Sequence, residues 1–368
     1  MSGEDNLDRV CGQTRVLVDA FFRTDSMQAK VLHLMAGSAQ GGAEAFCLRL
    51  LPALARRGLS QALVTRPHMP KLDELVAAGI AVETARFATP WMDWQTMNTI
   101  RKAVADFQPN IIMAWMNRAA AFSRRLAGRG IKMVGRLGGY YDLKYYRHCD
   151  ALIGNTADLV TYFVREGWSA DRSFYLPNFA DTTAPSVCLP RPAAPLLLAL
   201  GRLHPNKGFD VLLNALAQIP QARLWLAGDG DLKSALQDQA AQLGLLDRID
   251  FLGWRTDITA LHAAADIFLC PSRHEPLGNV ILEAMAAGKG IVSTANQGAL
   301  QLLQDGHNAL ITPIDDAAAL ARAVNDLIAH PQRAAEFGAA AQQTYLANYS
   351  EEAVCARYLE FFNNLLKT

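Results

Sequence analysis

The sequence predicts an α/β protein made of two doubly wound domains that face each other across a cleft. Its 368 residues are too many for one ordinary hydrophobic core, and 51% of them are apolar against 19% charged. Both halves of the chain alternate short apolar runs with longer stretches of helical periodicity. That alternation is typical of parallel sheets covered by helices.

In the first half, the apolar runs have the length and composition of strands, and helical patterns separate them. We predict strands at residues 31–35, 61–65, 81–85, 111–115, 133–136, 151–154 and 174–176. We predict helices at residues 43–57, 71–78, 96–107 and 157–166.

The second half repeats this alternation. Strands are predicted at residues 196–200, 223–227, 249–252, 267–270, 290–293 and 309–311. Helices are predicted at residues 209–217, 232–243, 257–264, 279–287 and 317–329, and the chain after about residue 330 is helical to its end.

These patterns give the domain boundaries. The regular pattern begins at Met27, so we expect residues 1–26 to be a disordered extension. Residues 27–180 form the first domain, and the proline-containing stretch 181–195 is a linker with little periodicity. Residues 196–345 form the second domain, and residues 346–368 form a final helix.

The formal net charge is zero, but the charges are unevenly distributed. The chain up to Ala180 carries 22 Lys and Arg against 16 Asp and Glu, and the remainder carries 13 against 19. Only Asp142 opposes a cluster of cations formed by Arg118, Arg124, Arg125, Arg129, Lys132, Arg136, Lys144 and Arg147. Such a cluster is either a solvated face or a contact for an anionic acceptor or an anionic membrane surface.

The six cysteines show no Cys-x-x-Cys pair and no disulfide framework, which favours reduced thiols in a cytoplasmic protein. No apolar run reaches the ~20 residues that a membrane-spanning helix needs.

Two carboxylates, Glu275 and Glu283, are separated by seven residues and by a turn that leads into an apolar helix. The turn and the start of the helix consist of Pro276, Leu277, Gly278 and Asn279. The free backbone N–H groups and the positive end of the dipole at such a helix N-terminus favour a diphosphate. One carboxylate would bind sugar hydroxyls and the other ribose hydroxyls. The alternative is that Glu283 is a solvated helix residue and Glu275 only favours the dipole.

A second motif follows the predicted strand 196–200 and contains Gly201, Arg202, Lys207 and Gly208. Two cations beside a helix N-terminus suit a diphosphate leaving group. Arg202 and Lys207 are also compatible with ordinary surface charge.

Two more glycine-containing motifs end strands, around Gly228 and just after Leu252. Glycine lets a backbone approach a ligand closely. The first of these motifs contains Asp229 and Asp231, which could form a metal-binding pair. We favour a turn followed by a helix N-cap, and we therefore expect no metal.

In this order, the motifs resemble the donor half of the retaining GT-B glycosyltransferases of group four, also called glycosyl transferases group 1. The resemblance covers most of residues 196–316 and includes Ser272, Glu275, Gly278, Glu283 and Gly288. In the first half, Gly41 and Gly42 resemble the glycine loop that faces the donor phosphate in this family. The resemblance implies two Rossmann-like domains, with the final helix crossing back to the first.

The resemblance also implies roles for the residues that match. Arg202 and Lys207 would neutralise the departing diphosphate, Glu275 would hold the transferred sugar, and Glu283 would hold the ribose. The family retains anomeric configuration and needs no metal or other cofactor. The donor is a nucleoside-diphosphate sugar, the acceptor a glycan or glycolipid, and no nucleic acid is expected as a partner.

On the acceptor side the chain departs from the family. Many relatives carry histidines after the fourth strand, where this chain has Met113 and Trp115. We expect Trp115 or Asn117 to line the sugar site instead, with no general base identified. Further acceptor-side candidates are Arg118, Arg136 and Tyr140.

The sequence therefore predicts a cytoplasmic retaining glycosyltransferase for cell-surface glycan or lipopolysaccharide assembly, with peripheral contact to the inner face of the membrane. Two alternatives stay open. The first is a nucleotide-sugar epimerase or hydrolase, or a phosphorylase, of the same fold. The second is a sugar-nucleotide-binding protein without catalysis.

Overall fold

The computed structural model describes residues 28–37, 41–185 and 187–367. The extension predicted for residues 1–26 lies outside the described residues. Two parallel sheets, each covered by helices, form two lobes.

The first lobe contains a parallel sheet with the order β3-β2-β1-β4-β5-β6-β7. Its strands are β1 (Lys30–Met35), β2 (Ser60–Thr65), β3 (Ala81–Thr84), β4 (Ile111–Trp115), β5 (Lys132–Leu137), β6 (Ala151–Gly154) and β7 (Ser173–Tyr175). Its helices are α1 (Gly42–Ala55), α2 (Leu72–Ala77), α3 (Trp94–Phe107), α4 (Met116–Ser123) and α5 (Ala157–Arg165).

The second lobe contains a parallel sheet with the order β10-β9-β8-β11-β12-β13. Its strands are β8 (Leu196–Leu200), β9 (Arg223–Ala227), β10 (Ile249–Gly253), β11 (Ile267–Cys270), β12 (Gly290–Thr294) and β13 (Leu310–Thr312). Its helices are α6 (Phe209–Leu216), α7 (Lys233–Gln242), α8 (Ile258–Ala264), α9 (Asn279–Ala286), α10 (Gln297–Leu302), α11 (Ala317–Ala329) and α12 (Pro331–Asn348), and the chain then continues into α13 (Glu351–Leu365).

Apolar clusters cover both faces of each sheet, and the central strands β4 and β8 are buried along their whole length. Strands that are buried on both faces need continuous apolar sequence, which is the pattern that predicted them. The α/β class with two doubly wound sheets is therefore confirmed.

Helix α13 packs against the first lobe. Its buried residues recur at helical spacing and join the cluster on one face of the first sheet: Val354, Cys355, Tyr358, Phe361, Phe362 and Leu365. At its start, Ser350 caps the helix, and Glu351 accepts hydrogen bonds from Arg56 and Arg57 at 2.8 and 2.9 Å. Because α13 follows α12 of the second lobe, the chain crosses between the lobes twice.

Two helices were not predicted. Helix α4 begins directly after β4 with no side-chain cap among the described residues, and α10 is a six-residue helix where the sequence predicted none. A helix this short gives no periodic signal, although Asn296 caps it by accepting from the backbone N–H of Ala299 at 2.9 Å.

Strand order reverses between β1 and β4 in the first sheet, and between β8 and β11 in the second. In open α/β sheets, ligands bind outside the carboxyl ends of the strands at this reversal. The loops after these four strands therefore define where the site is expected. Within the described ranges, no helix is long and apolar enough to cross a membrane.

Candidate functional site

A hollow of about 310 Å³ lies between the two lobes, at the carboxyl ends of the central strands. It brings together part of the predicted site: Gly42, Arg136, Glu275, Pro276, Leu277, Gly278 and Asn279. Residues predicted on opposite lobes therefore border one space.

Lys207 and Glu275 form an ion pair beside this hollow. Both side chains are mostly buried, with exposures of 20% and 13%, so little solvent screens the pair. Lys207 ends a short 3-10 helix, Pro205–Lys207, and Gly208 follows it with φ of 63°. A Cβ at Gly208 would collide with the carbonyl oxygen of Pro271, so the turn that aims Lys207 requires glycine.

The loop that carries Glu275 is fixed on both sides. Arg273 binds Asp210 and Asp315, each at 2.6 Å. The backbone N–H of Gly298 on α10 donates to the carbonyl oxygen of Glu275 at 2.7 Å. Helix α10, which the sequence pattern did not predict, therefore fixes the backbone of Glu275 and so helps to position its carboxylate.

Helix α9 begins at the hollow. The residue at the N-cap position is Gly278, which has φ of 75°. No side chain among the described residues hydrogen-bonds to the free N–H groups of this first turn. Its first residue, Asn279, accepts a hydrogen bond from Asn178 at 3.0 Å, which links the second lobe to the segment that leaves the first. Uncapped N–H groups and the positive end of the helix dipole thus border the hollow.

Arg136 borders the hollow from the first lobe but is 1% exposed. Its guanidinium lies 4.6 Å from the ring centroids of both Phe46 and Trp115. Its Nε donates to the hydroxyl of Tyr358 at 2.9 Å, and a terminal nitrogen donates to Asn178 at 2.6 Å. Arg136 is therefore a fixed cation behind the hollow rather than an open acceptor contact.

Glu283 lies on α9, one turn beyond the hollow, and lines a separate cavity of about 210 Å³ beside the chain segment 181–185. Removal from water raises its pKa to about 7. Arg49 and Lys207 oppose this shift, while Asp181 and Glu275 add to it. Glu283 is thus within electrostatic reach of the Lys207–Glu275 pair.

Several predicted donor residues do not line the hollow. Arg202 is exposed and lies 3.7 Å from Asp231. Gly201 and Gly228 pack against each other, and a Cβ at Gly228 would collide with the carbonyl oxygen of Gly201. These glycines therefore meet a packing requirement between two strand-end loops. Leu252 is partly buried and packs against an apolar cluster of the second lobe, and Gly41 precedes α1 without lining the hollow.

Two acceptor-side candidates, Trp115 and Tyr140, do not line the hollow. Trp115 is fully buried, and its indole N–H donates to Nδ1 of His33 at 3.3 Å, because β4 directs it into the core rather than the hollow. Burial lowers the pKa of His33 to about 3, so this imidazole stays neutral. Tyr140 is directed away to hydrogen-bond Asp158, and its neighbour Tyr141 lines the hollow instead.

Asn117 and Arg118 lie in a different place. They line a larger cavity of about 1070 Å³ in the first lobe, together with other members of the cationic cluster. Asn117 accepts a hydrogen bond from the hydroxyl of Tyr146 at 2.8 Å.

The sequence reasoning missed other residues at the hollow: Glu44, Met116, Tyr141, Asn155 and Asn178. Met116 has φ of 63°, an uncommon conformation for a non-glycine residue that clusters at functional sites. Asn155 is buried, and its side-chain oxygen has no hydrogen-bond partner among the residues that the structure describes. No sequence motif marks either residue.

Across the described chain, no group of three or more His, Cys, Asp or Glu residues is arranged to hold a metal ion. Asp229 and Asp231 instead pair with Lys233 and Arg202, at 4.0 and 3.7 Å.

The two lobes correspond to two family models. The model described as Glycosyl transferases group 1 matches residues 189–344, and the model described as Glycosyltransferase Family 4 matches residues 40–184. A lipopolysaccharide core biosynthesis glycosyltransferase, LpsE of Rhizobium meliloti, is 33% identical over 90% of this chain and 98% of its own length. The chain therefore belongs to this glycosyltransferase family.

A second curated relative and two solved structures are also similar to this chain. LpsD of Rhizobium meliloti, also named as a lipopolysaccharide core biosynthesis glycosyltransferase, is 31% identical over 91% of this chain and 98% of its own length. The crystal structure of Anabaena HepE in complex with UDP has a TM-score of 0.78 at 24% identity and covers 91% of this chain and 100% of its own. A glycosyltransferase from Rickettsia africae has a TM-score of 0.81 at 17% identity and covers 93% and 100%. The GT-B fold is thereby confirmed.

The raised pKa of Glu283 predicts a pH-dependent stability. An unfolded glutamate has a pKa near 4.5 and the folded one about 7, so the folded state binds more protons between these values. The stability that Glu283 contributes is complete below pH 4.5 and is lost as pH rises through 7. As pH rises from 5 to 8, the free energy of unfolding of Glu283→Gln should therefore increase by up to ~3 kcal/mol relative to that of the wild type.

Thermal unfolding at both pH values measures this difference. The exposed Glu352 supplies the control, since Glu352→Gln removes a carboxylate without a buried environment. Melting temperatures of wild type and Glu283→Gln that stay parallel from pH 5 to pH 8 would contradict the assignment.

Proposed function

We propose that the protein transfers a sugar from a nucleoside-diphosphate sugar to a hydroxyl group of a cell-surface glycan, with retention of anomeric configuration. The observation that carries this proposal is the Lys207–Glu275 ion pair beside the N-terminus of α9 at the interlobe hollow. This pair places a cation and a carboxylate beside the positive end of a helix dipole, at a position that is partly shielded from water.

In the proposed reaction the diphosphate binds at the start of α9 and is neutralised by Lys207 as it leaves. Charge that develops on a leaving group is stabilised most effectively by groups that are already in place. Glu275 is released from Lys207 to accept hydrogen bonds from the transferred sugar. Arg202, which is exposed, adds positive charge only if its side chain turns from Asp231.

The nucleoside is proposed to reach Glu283, whose carboxylate would accept the ribose hydroxyls. Glu283 lies on the same helix as the diphosphate site, and its cavity is bordered by the linker. The acceptor hydroxyl is proposed to enter from the first lobe, where it can donate a hydrogen bond to the side-chain oxygen of Asn155. As the glycosidic bond forms, its proton would pass to an oxygen of the departing diphosphate.

The substrate class is proposed from similarity. LpsE and LpsD are named for lipopolysaccharide core biosynthesis, and HepE was crystallised with UDP. By extension, the donor here is a nucleotide sugar and the acceptor a glycolipid of the lipopolysaccharide type. Retention and independence from metals rest on the family resemblance, with Lys207 and the dipole of α9 supplying the charge that a metal would supply.

The proposed location is the cytoplasm, with peripheral contact to the inner face of the membrane. Three large apolar side chains before and within α3, Trp91, Met92 and Trp94, are exposed by 72–73%. Tryptophans beside cations are typical of surfaces that contact anionic lipid.

Incubation of the protein with UDP- and GDP-sugars, with and without a lipopolysaccharide-core acceptor, tests the proposed function. Release of nucleoside diphosphate only when acceptor is present supports transfer, and the anomeric coupling constant of the product reports retention. Release without acceptor would indicate hydrolysis or epimerisation. Binding without release under both conditions would indicate a protein without catalysis.

Lys207→Ala should reduce kcat/KM by about a hundredfold or more, because the leaving diphosphate loses its partly buried cation. Lys233→Ala is the matched control, since Lys233 lies on the same lobe but pairs with Asp229 outside the hollow. The rate is compared at equal folded fraction, which the melting temperature reports. Equal rates for the two variants would remove Lys207 from the proposed chemistry.

A further inference from the structure

A cavity of about 1070 Å³ in the first lobe is larger than the interlobe hollow. Its walls come from α4, the 3-10 turn after it, and the loop between β5 and β6. They carry a set of basic side chains: Arg118, Arg124, Arg125, Lys144, Arg147 and His148. Cations that are spread over 30 positions of the sequence, from 118 to 147, therefore converge on one concave space.

Most of this positive charge is not neutralised within the protein. Lys144 pairs with Asp142 at 2.6 Å, with both side chains more than half exposed. Among the described residues, Arg124, Arg125 and Arg147 have no carboxylate within ion-pair distance, and no acidic residue lines the cavity. Like charges concentrated in a concave site raise the local concentration of anions.

The positive charge of the cavity also affects the pKa of His148. Its ring nitrogen hydrogen-bonds the hydroxyl of Ser123 at 2.8 Å. Burial, and then the charge of Arg124, lower the pKa of His148 to about 4, so it is neutral near pH 7. The arginines and Lys144 thus supply the positive charge, and His148 remains a neutral hydrogen-bonding group.

The cavity shares a wall with the interlobe hollow. Asn117 lines the cavity, and the preceding residue, Met116, lines the hollow. The loop after β5 borders both in the same way, with Tyr141 at the hollow and Lys144 in the cavity. Because Met116 and Asn117 are consecutive and their Cα atoms are ~3.8 Å apart, the two spaces lie side by side along the first lobe.

We propose that this cavity binds a phosphate or carboxylate group on the acceptor glycan, while the acceptor hydroxyl lies in the hollow. This inference rests on the proposed function and narrows its acceptor to anionic glycans. A sugar phosphate is small enough to enter the concave space, whereas a planar lipid surface reaches only its rim. The volume is in the range of sites that enclose small ligands, and the exposed indole of Trp91 adds an apolar wall.

The test compares two probes, pentamannose monophosphate and unphosphorylated pentamannose, by isothermal titration calorimetry of the full chain. Wild type should bind the phosphorylated probe at least about tenfold more tightly, since a hydrogen-bonded charge contributes ~1.5 kcal/mol or more. Arg124→Gln with Arg147→Gln should abolish this preference. The control is Arg101→Gln with Arg129→Gln, which removes two exposed cations of the same lobe outside the cavity and should retain the preference.

Two further measurements separate the possible failures. Vesicles with 30 mol% phosphatidylglycerol, about a third anionic lipid, test the membrane as the occupant. Loss of vesicle binding in the Arg124/Arg147 double variant, with the sugar-phosphate preference intact, would overturn the proposal. So would equal affinity of wild type for the two sugars. Donor turnover is assayed independently, so failure of the proposed transfer would appear there whatever the cavity binds.

Discussion

The buried guanidinium of Arg136 is the interaction on which the arrangement of the two lobes depends. It lies 4.6 Å from the ring centroids of both Phe46 and Trp115 and donates to Tyr358 and Asn178. A charge in this position is costly unless its donors are satisfied, so its partners cannot move independently. Tyr358 fixes the returning helix α13, and Asn178 fixes the segment that leaves the first lobe. Because Asn178 also binds Asn279, the same network reaches the start of α9.

The hollow and the basic cavity divide the proposed chemistry between the lobes. The second lobe supplies the groups for a departing diphosphate, with Lys207 and Glu275 already paired. The first lobe supplies a buried acceptor at Asn155, which has no partner in the described part of the chain, and a concave cationic surface nearby. Met116, in its uncommon backbone conformation, lines the hollow directly before Asn117, which lines the basic cavity. Sugar transfer needs this asymmetry, because one substrate must leave a negative group behind and the other must present a hydroxyl.

The sequence predicted the strands well because buried parallel strands require continuous apolar runs. It also assigned Lys207 and Glu275 to one donor site, since motifs that end neighbouring strands meet at one sheet edge, but it did not predict the ion pair between them. It failed where side-chain direction decides, as for Trp115, which β4 directs into the core. It also failed to distinguish Tyr140 from Tyr141, because a one-residue difference in a glycine loop carries no periodic signal.

The decisive measurement is a crystal structure of the protein with a bound nucleoside-diphosphate sugar. The diphosphate should lie within hydrogen-bond distance of the Lys207 ammonium and of the backbone N–H groups at the start of α9, with the sugar hydroxyls on Glu275. A diphosphate bound elsewhere on the protein, with the Lys207–Glu275 pair undisturbed, would contradict this prediction.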